Sequence, residues 1–187
     1  MASGAEEWSD ALCESCLGKI AAHDKNALGA LYENTKNAVY GFALSIVRNT
    51  QDAEDVLQDT FVSIYASARN YKRMGKPMAW IFTIVRNLSL MKVRDRRKTS
   101  DVSEEEWRLL TADEAPVTSE DRLVLTAALG KISPEEGQIV MLHAVAGFKH
   151  REIAEVLELP LSTVLSKYNR AVKKLKSVLE GTGAHAE

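Results

Sequence analysis

The sequence has little of what metal or redox chemistry usually needs. Its 187 residues hold two cysteines and four histidines. Cys13 and Cys16 form a C-x-x-C pair with His23 as the nearest histidine. No second pair or nearby His pair completes a zinc site. The residues leave open a redox pair or half a zinc site. The simpler reading is two small residues on one helix, one turn apart, where a bond would lock very little. Cys13 and the histidines do not form a convincing nucleophile and base set. The expectation is therefore a protein that is not an enzyme, with no metal and no cofactor. Long apolar runs are also missing, and the N-terminus lacks a signal peptide's basic-then-apolar order. A cytosolic chain without membrane insertion is expected. An excess of basic charge is missing too, since the formal net charge is −2. Bulk charge alone does not point to nucleic acid.

The distribution of charge is more informative than its sum. Residues 69–98 carry ten Lys or Arg against the single acid Asp95. Residues 101–121 carry eight Asp or Glu against Arg108 alone. Residues 149–176 return seven Lys or Arg against three Glu. Two basic blocks thus flank an acidic one, and the near-zero sum hides them.

Hydrophobic periodicity predicts an all-α chain. Residues 6–22 place Trp8, Leu12, Leu17 and Ile20 at roughly helical spacing. Asp24 is a candidate N-cap for a helix carrying Leu28, Leu31, Tyr32, Val39, Phe42, Ile46 and Val47. Residues 52–70 follow with an apolar line of Val56, Leu57, Phe61, Ile64, Tyr65 and Ala68. A second line, Asp52, Asp55 and Asp59 with Gln58 beside it, has no Lys or Arg between Arg48 and Arg69. Early acids complement a helix dipole, but Asp59 lies two turns in. An unneutralised acidic stripe suits docking against a basic partner.

The loop 70–76, NYKRMGK, is polar, cationic and carries one aromatic ring. Pro77 then opens a long helix to Lys98. Ile81, Ile84, Val85, Leu88 and Met91 predict its core stripe. Trp80, Thr83, Asn87 and Arg94 fall on another line, and Arg94, Arg96, Arg97 and Lys98 make a basic end. An aromatic and cationic loop beside a polar helix line suits single-stranded nucleic acid, because bases stack on rings while cations follow phosphates. The bland alternative is a solvated hairpin and a core helix with a charged end.

Residues 99–119 are acidic, include Pro116 and show little periodicity beyond the short patch Trp107, Leu109 and Leu110. A structureless stretch of that length favours a linker between two domains. Beyond it, Leu123, Val124, Ala127, Ala128 and Leu129 predict one helix. Ser133-Pro134-Glu135-Glu136 starts the next, which carries Ile139, Val140, Leu142, His143 and Val145 to near Gly147. His143 reads as a core or flank histidine. Residues 149–158 form a short helix with Ile153, Ala154, Val156 and Leu157. Ser162 and Thr163 then cap a helix that turns Val164, Tyr168, Ala171, Val172, Leu175 and Leu179 inward. Its other faces show Thr163, Ser166, Lys167, Arg170, Lys173, Lys174 and Lys176. This pair has helix-turn-helix geometry, with the second helix's N-terminal residues on base edges and its lysines on phosphates.

These motifs together resemble a known family. DAEDVLQDTFVSIY, followed by the Trp80 helix with IVRNLSL, resembles region 2 of bacterial sigma factors. The stretch from SPEEGQIV to RAVKKLK resembles their region 4. The pattern is that of the small extracytoplasmic-function type. The resemblance implies residues 1–23 as an extension with a short helix and 24–98 as region 2. It implies 99–119 as the acidic linker, 120–181 as region 4 and 182–187 as a tail. It implies binding to core RNA polymerase through Asp52, Asp55, Gln58, Asp59 and Phe61 on the β′ clamp helices, with region 4 toward the β flap. It implies that Tyr71, Lys72, Trp80, Thr83, Asn87, Arg94 and Arg97 melt and read the −10 element, with Asn87 at a flipped-base pocket. Tyr71 and Lys72 fall in the family's variable specificity loop. Ser162, Thr163, Leu165, Ser166, Lys167, Arg170, Lys173 and Lys174 would read the −35 duplex. Leu165 departs from the usual basic residue, and Lys167 stands where arginine is usual. The linker would thread toward the polymerase cleft, and an anti-sigma factor would hold the free chain off DNA. The location implied is the bacterial cytoplasm. Two rivals remain: a two-domain regulator that binds duplex operators without polymerase, and a redox or zinc protein using Cys13 and Cys16.

Overall fold

A computed structural model describes residues 10–72, 75–99 and 120–182, with side chains undescribed at 97–99, 120–123 and 178–182. Trp8, the 107–110 patch, the rest of the linker, and the side chains of Arg97, Lys98, Leu123 and Leu179 lie outside the described residues. The described residues are all-α. The order is α1 (Asp10–Ala21), α2 (Lys25–Val47), α3 (Thr50–Ser67), a 3-10 turn (Ala68–Asn70) and α4 (Pro77–Thr99). After the linker come α5 (Glu120–Leu129), α6 (Pro134–Val140), a π-helical turn (Met141–Val145), α7 (His150–Leu157) and α8 (Leu161–Thr182).

Local chemistry sets most of these ends. Asp24 caps α2, its carboxylate accepting from the Asn26 and Ala27 N–H groups. Asn49 does the same for α3 through the Asp52 N–H. Ser133 and Glu136 form a reciprocal capping box, with Pro134 at the first helical position. The predicted single helix up to Gly147 departs from this pattern. It widens into a π turn, where Ala146 N–H bonds to the Met141 carbonyl. The last helix begins at Leu161, so Ser162 and Thr163 sit inside its first turn and do not precede it.

Helix α2 is the axis of the molecule. Every residue from Val39 to Val47 is buried, so this stretch has no solvent side. Helices α1, α3 and α4 cover three sides. Phe42 meets Phe82 edge-on with ring centroids 5.3 Å apart, and Phe82 meets Phe148 of the second half at 5.4 Å. The core stripe of α4 is Ile81, Phe82, Val85 and Ser89. Met91, predicted inside, is 51% exposed, because the buried line turns toward Phe82 and Ser89. Likewise Val124 points outward while Leu125 packs inward, and Val172 is exposed on α8.

The fourth side of α2 is covered by α6 and the π turn. Three residues spaced along one α2 face make this seam: Gly41, Ser45 and Arg48. A Cβ on Gly41 would collide with Met141, and one on Gly137 would press on Ser45 and Leu129. The two glycines therefore let α2 and α6 approach closely. Arg48 ends α2 in the left-handed region and turns its guanidinium across the seam. It donates to the Leu129 carbonyl and, at 3.1 Å, to the Ile132 carbonyl. The Leu129 carbonyl ends α5 and the Ile132 carbonyl lies in the turn before α6, so an arginine from the first half caps the α5–α6 turn of the second. One hydrophobic core runs through both halves.

Replacing Gly41 by Leu should part the halves at a cost of about 1–3 kcal/mol from overpacking. Small-angle scattering should show a larger radius of gyration while helicity is kept. An unchanged radius would mean the seam does not depend on this contact.

Candidate nucleic-acid interface

Three surfaces carry the residues singled out in the sequence. The first is the acidic face of α3. Its acids are not unneutralised, as the sequence alone suggested, because α4 supplies the missing cations. Arg96 donates to Asp52 at 3.0 Å and also to the Val47 carbonyl at 3.0 Å. Lys92 donates to Asp55 at 2.7 Å and lies 4.0 Å from Asp52. The Lys92 ammonium is held above its ordinary range by that bond to Asp55. Gln58 and Asp59 remain exposed one turn further on. Phe61 is only 7% exposed and meets Tyr32 edge-on at 4.9 Å. It supports the helix from within. Val62 beside it is exposed instead.

The second surface is the start of α4 with the loop before it. Tyr71 and Trp80 pack ring to ring at 5.2 Å. They line a cavity of about 420 Å³ together with Asn70, Lys72, Lys76 and Thr83, closed on the far side by Glu155 and Val156 of α7. The Thr83 hydroxyl donates back to the Ala79 carbonyl at 2.8 Å, which fixes its oxygen on the helix surface. Thr83, Asn87 and Arg94 are exposed along one side of α4. Two cations here escaped the sequence reading of the site. Lys76 pairs with Glu155 at 2.7 Å, and Arg86 lies 3.9 Å from Glu158. The bond to Glu155 raises the Lys76 value. A helical line with Trp80, Thr83 and Asn87 leads on to Arg86 and Lys76 only once the chain is folded, because their partners lie some seventy residues downstream.

The third surface is the pair α7 and α8. Glu158 closes α7 in the left-handed region, and the chain turns through Leu159-Pro160 into α8. Three rings hold the pair in register. His143 lies 4.3 Å from His150, and Tyr168 of α8 sits edge-on to both at 4.8 and 4.9 Å. His143 Nδ1 donates to the Phe148 carbonyl at 2.8 Å, which makes it a structural histidine. Burial and the neighbouring His143 push the His150 value down. Ser162, Leu165, Ser166, Arg170 and Lys173 are exposed, with Leu165 at 42%. Lys167 and Lys174 are already engaged by α6. Lys167 pairs with Glu135 at 2.5 Å, and Lys174 donates to both oxygens of Glu136 at 3.0 and 2.8 Å. The two candidate phosphate contacts therefore also tie α8 to its own domain.

Cys13 and Cys16 are buried, free thiols on α1. Burial, with Cys16, Asp10 and Glu14 nearby, pushes the Cys13 thiol up to about 12. It is a thiol at neutral pH and a poor nucleophile or ligand. Cys13 Sγ lies 3.7 Å from Met78 Sδ in the core. Among the described residues, no group of three or more His, Cys, Asp or Glu is placed to hold a metal, and no helix is long and apolar enough to cross a membrane.

Comparison with known proteins agrees with this division. The family description "Sigma-70 region 2" matches residues 31–99, and "Sigma-70, region 4" matches residues 122–175. The chain is 25% identical over 171 residues to the ECF RNA polymerase sigma factor SigK of Mycobacterium sp. strain KMS, covering 87% of this chain and 88% of that one. It is 23% identical over 175 residues to SigK of Mycobacterium tuberculosis strain H37Rv, covering 89% and 93%. Among solved structures it resembles CnrH in complex with the cytosolic domain of CnrY. That match has a TM-score of 0.59 at 25% identity and covers 91% of this chain and 98% of CnrH. RpoE of Bartonella quintana, in complex with the anti-sigma factor NepR, shares the fold with a TM-score of 0.61 at 23% identity, covering 80% and 94%.

The Glu136–Lys174 pair has a pH signature. Burial of Glu136, 3% exposed, works to raise its value, but bonds from Lys174 and Ser133 win and lower it. The stabilisation is thus present above about 4.3, the unfolded glutamate value, and is lost as pH falls through the lower folded value. Glu136→Gln should cost about 1–3 kcal/mol at pH 7 and flatten the acid limb of a thermal-melt series between pH 3 and 5. An acid limb identical to that of the parent chain would show that the pair contributes nothing.

Proposed function

Because the chain belongs to the ECF RNA polymerase sigma factors and directs promoter-specific transcription initiation, we propose that its three surfaces divide that work. The exposed end of the α3 acid face, Gln58 and Asp59 with the partly paired Asp52 and Asp55, docks on core polymerase at the β′ clamp helices. The Tyr71–Trp80 cavity and the line through Thr83, Asn87 and Arg94 hold the −10 strand, with Arg97 following on the same helix. Helix α8 reads the −35 duplex through Ser162, Thr163, Leu165, Ser166 and Arg170, while Lys173 meets phosphate. Lys167 and Lys174 contribute there only as far as Glu135 and Glu136 release them. In this reading the domains are residues 24–98 and 120–181, the acidic linker 99–119 passes toward the polymerase cleft, and region 4 rests on the β flap.

The observation that carries this reading is the first-half wall of the cavity, from Asn70 to Thr83, which stays in place when α7 moves away. Two rings packed at a tilt of 53°, two lysines and an adjoining exposed polar helix line are what an unpaired base and its phosphates require. Melting then needs no nucleotide hydrolysis by this chain, because captured bases drive it. A regulator of duplex operators has no use for such a cavity, nor for the α3 acid face.

The packed arrangement is a storage form in this account. The two promoter elements lie about 25 base pairs apart, or about 85 Å of duplex at about 34 Å per turn. A body of this size packed as one has a radius of gyration of about 16 Å. The halves must therefore separate to engage both elements, and about twenty linker residues can reach about 70 Å when extended. Opening uncovers the α2 seam, Lys76 and Arg86. A partner that keeps the seam closed, or covers the freed faces, holds the chain off DNA. An anti-sigma factor fits that role, and the Bartonella protein is itself in complex with one, NepR. The compartment is that of the polymerase, the bacterial cytoplasm.

Run-off transcription with core polymerase on a randomised promoter library tests the whole reading. It should return two conserved blocks, and failure of the chain to bind core would reject it. Asn87→Ala should lower opening at the recovered promoter by about tenfold with core binding intact. Equal loss of both would contradict the role given to Asn87.

A further inference from the structure

Helix α1 lies ahead of residues 31–99, so the region 2 description does not account for it. Its buried side, Cys13, Cys16, Leu17 and Ile20, packs into the core of the first half. Its other contacts converge on the two ends of the segment between α3 and α4. At the near end, Arg69 donates through Nε to the Ala21 carbonyl at 3.2 Å, and its guanidinium meets His23. The Tyr71 N–H bonds to the Ala68 carbonyl at 3.2 Å and closes the 3-10 turn. At the far end, Gly75 adopts φ +68, a left-handed conformation that suits glycine, with open space where a Cβ would stand. It is there for its backbone, and that backbone aims its N–H at α1.

Both shoulders meet the same atom. The Oε1 oxygen of Glu14 accepts from the Tyr71 hydroxyl at 3.1 Å and from the Gly75 N–H at 3.4 Å. Glu14 is half-buried on α1, one turn before Leu17. Tyr71 is thereby held at two points, by its hydroxyl on Glu14 and by its ring on Trp80. A tyrosine tethered at its tip presents its ring in one orientation, whereas an untethered ring turns about χ1 and χ2. Lys76 follows directly on Gly75, so the position of one lysine at the cavity mouth depends on the same carboxylate.

We propose that Glu14 is a positioning residue for −10 recognition, and that α1 serves as the seat on which the recognition ring and the Gly75–Lys76 shoulder are set. The proposal rests on the sigma reading of the Tyr71–Trp80 cavity and adds to it the source of that cavity's shape. Glu14 touches no DNA in this account. It selects bases indirectly, by holding Tyr71 and Gly75 where a single base geometry fits between ring, lysine and helix. The rest of α1 remains a packing element.

The test uses the full chain with core polymerase and the promoter that the library selection returns. Glu14→Ala, Glu14→Gln, Tyr71→Phe and the Glu14→Ala/Tyr71→Phe double variant are compared with the parent chain. Readouts are core binding, base preference at each position of both elements, and melting temperature. All variants should bind core equally and keep the −35 preference. Glu14→Ala should flatten discrimination at the most selective −10 position by roughly tenfold, the size of one lost hydrogen bond to a charged acceptor. Tyr71→Phe should lose part of this, and the double variant no more than Glu14→Ala alone, since the Tyr71 hydroxyl acts through Glu14 while Gly75 is held by the same carboxylate. Glu14→Gln keeps an acceptor oxygen and should keep most of the preference. An unaltered −10 profile in Glu14→Ala would overturn the proposal. So would a uniform loss across both elements that tracks a lowered melting temperature, because a merely structural residue behaves that way. If the parent chain itself binds core without any −10 preference, the reading of the cavity falls, and the proposal falls with it.

Discussion

The described structure is arranged around a stretch of helix that has no face of its own in water. Residues 39–47 of α2 are covered on all sides, three by the first half and one by the second. A helix enclosed in this way has no stable alternative to being covered. If α6 leaves, the seam of Gly41, Ser45 and Arg48 is exposed, and the Leu129 and Ile132 carbonyls lose the Arg48 guanidinium. The halves are therefore two domains in function and one core in the packed state. The contacts between them are close because both helices carry a glycine where they cross, and polar because an arginine finishes the neighbour's helix.

The charged surfaces obey a second rule, in which cations and anions of one helix are paired with those of its neighbours. Arg96 and Lys92 hold Asp52 and Asp55. Glu135 and Glu136 hold Lys167 and Lys174, and Glu155 and Glu158 reach Lys76 and Arg86. Most of these pairs are at least partly exposed, so each is weak alone. Their effect is to fix side-chain positions before a partner arrives. The exception is Glu136, which is buried, closes the capping box with Ser133 and holds Lys174 in the second half of α8.

Much of this was legible in the sequence. The periodicities of α2, α3, α4 and α8, the Ser133 start signal and the helix-turn-helix pair all stand close to where the residues put them. Tyr71 and Trp80, read from the sequence as neighbours of one loop and helix start, pack together and line one cavity. What could not be read depends on contacts between distant segments. Gly41, Ser45 and Arg48 are small or polar and belong to no apolar stripe, yet they form the seam with residues some ninety positions away. The pairing of Asp52 with Arg96 crosses two helices and leaves no trace in the spacing of either. Phe82 replaced Met91 in the core because the buried line of α4 follows two neighbours, α2 and the Phe148 turn, and a single regular stripe describes only one. Glu14 had no motif at all, since its meaning comes from two loop atoms sixty residues later.

The contact of Lys76 with Glu155 gives the packed state the character of an ion exchanger. On the function proposed for this surface, the Glu155 carboxylate stands where a phosphate would bind, so the chain carries a built-in competitor for its own cation. Duplex or single strand must displace a tethered anion whose local concentration is set by packing and does not fall on dilution. Added salt screens both partners of that exchange. It weakens phosphate capture, and it also loosens the grip of α7 on the cavity mouth. The two effects oppose each other, so the net salt dependence is shallower than the number of phosphates touched would suggest.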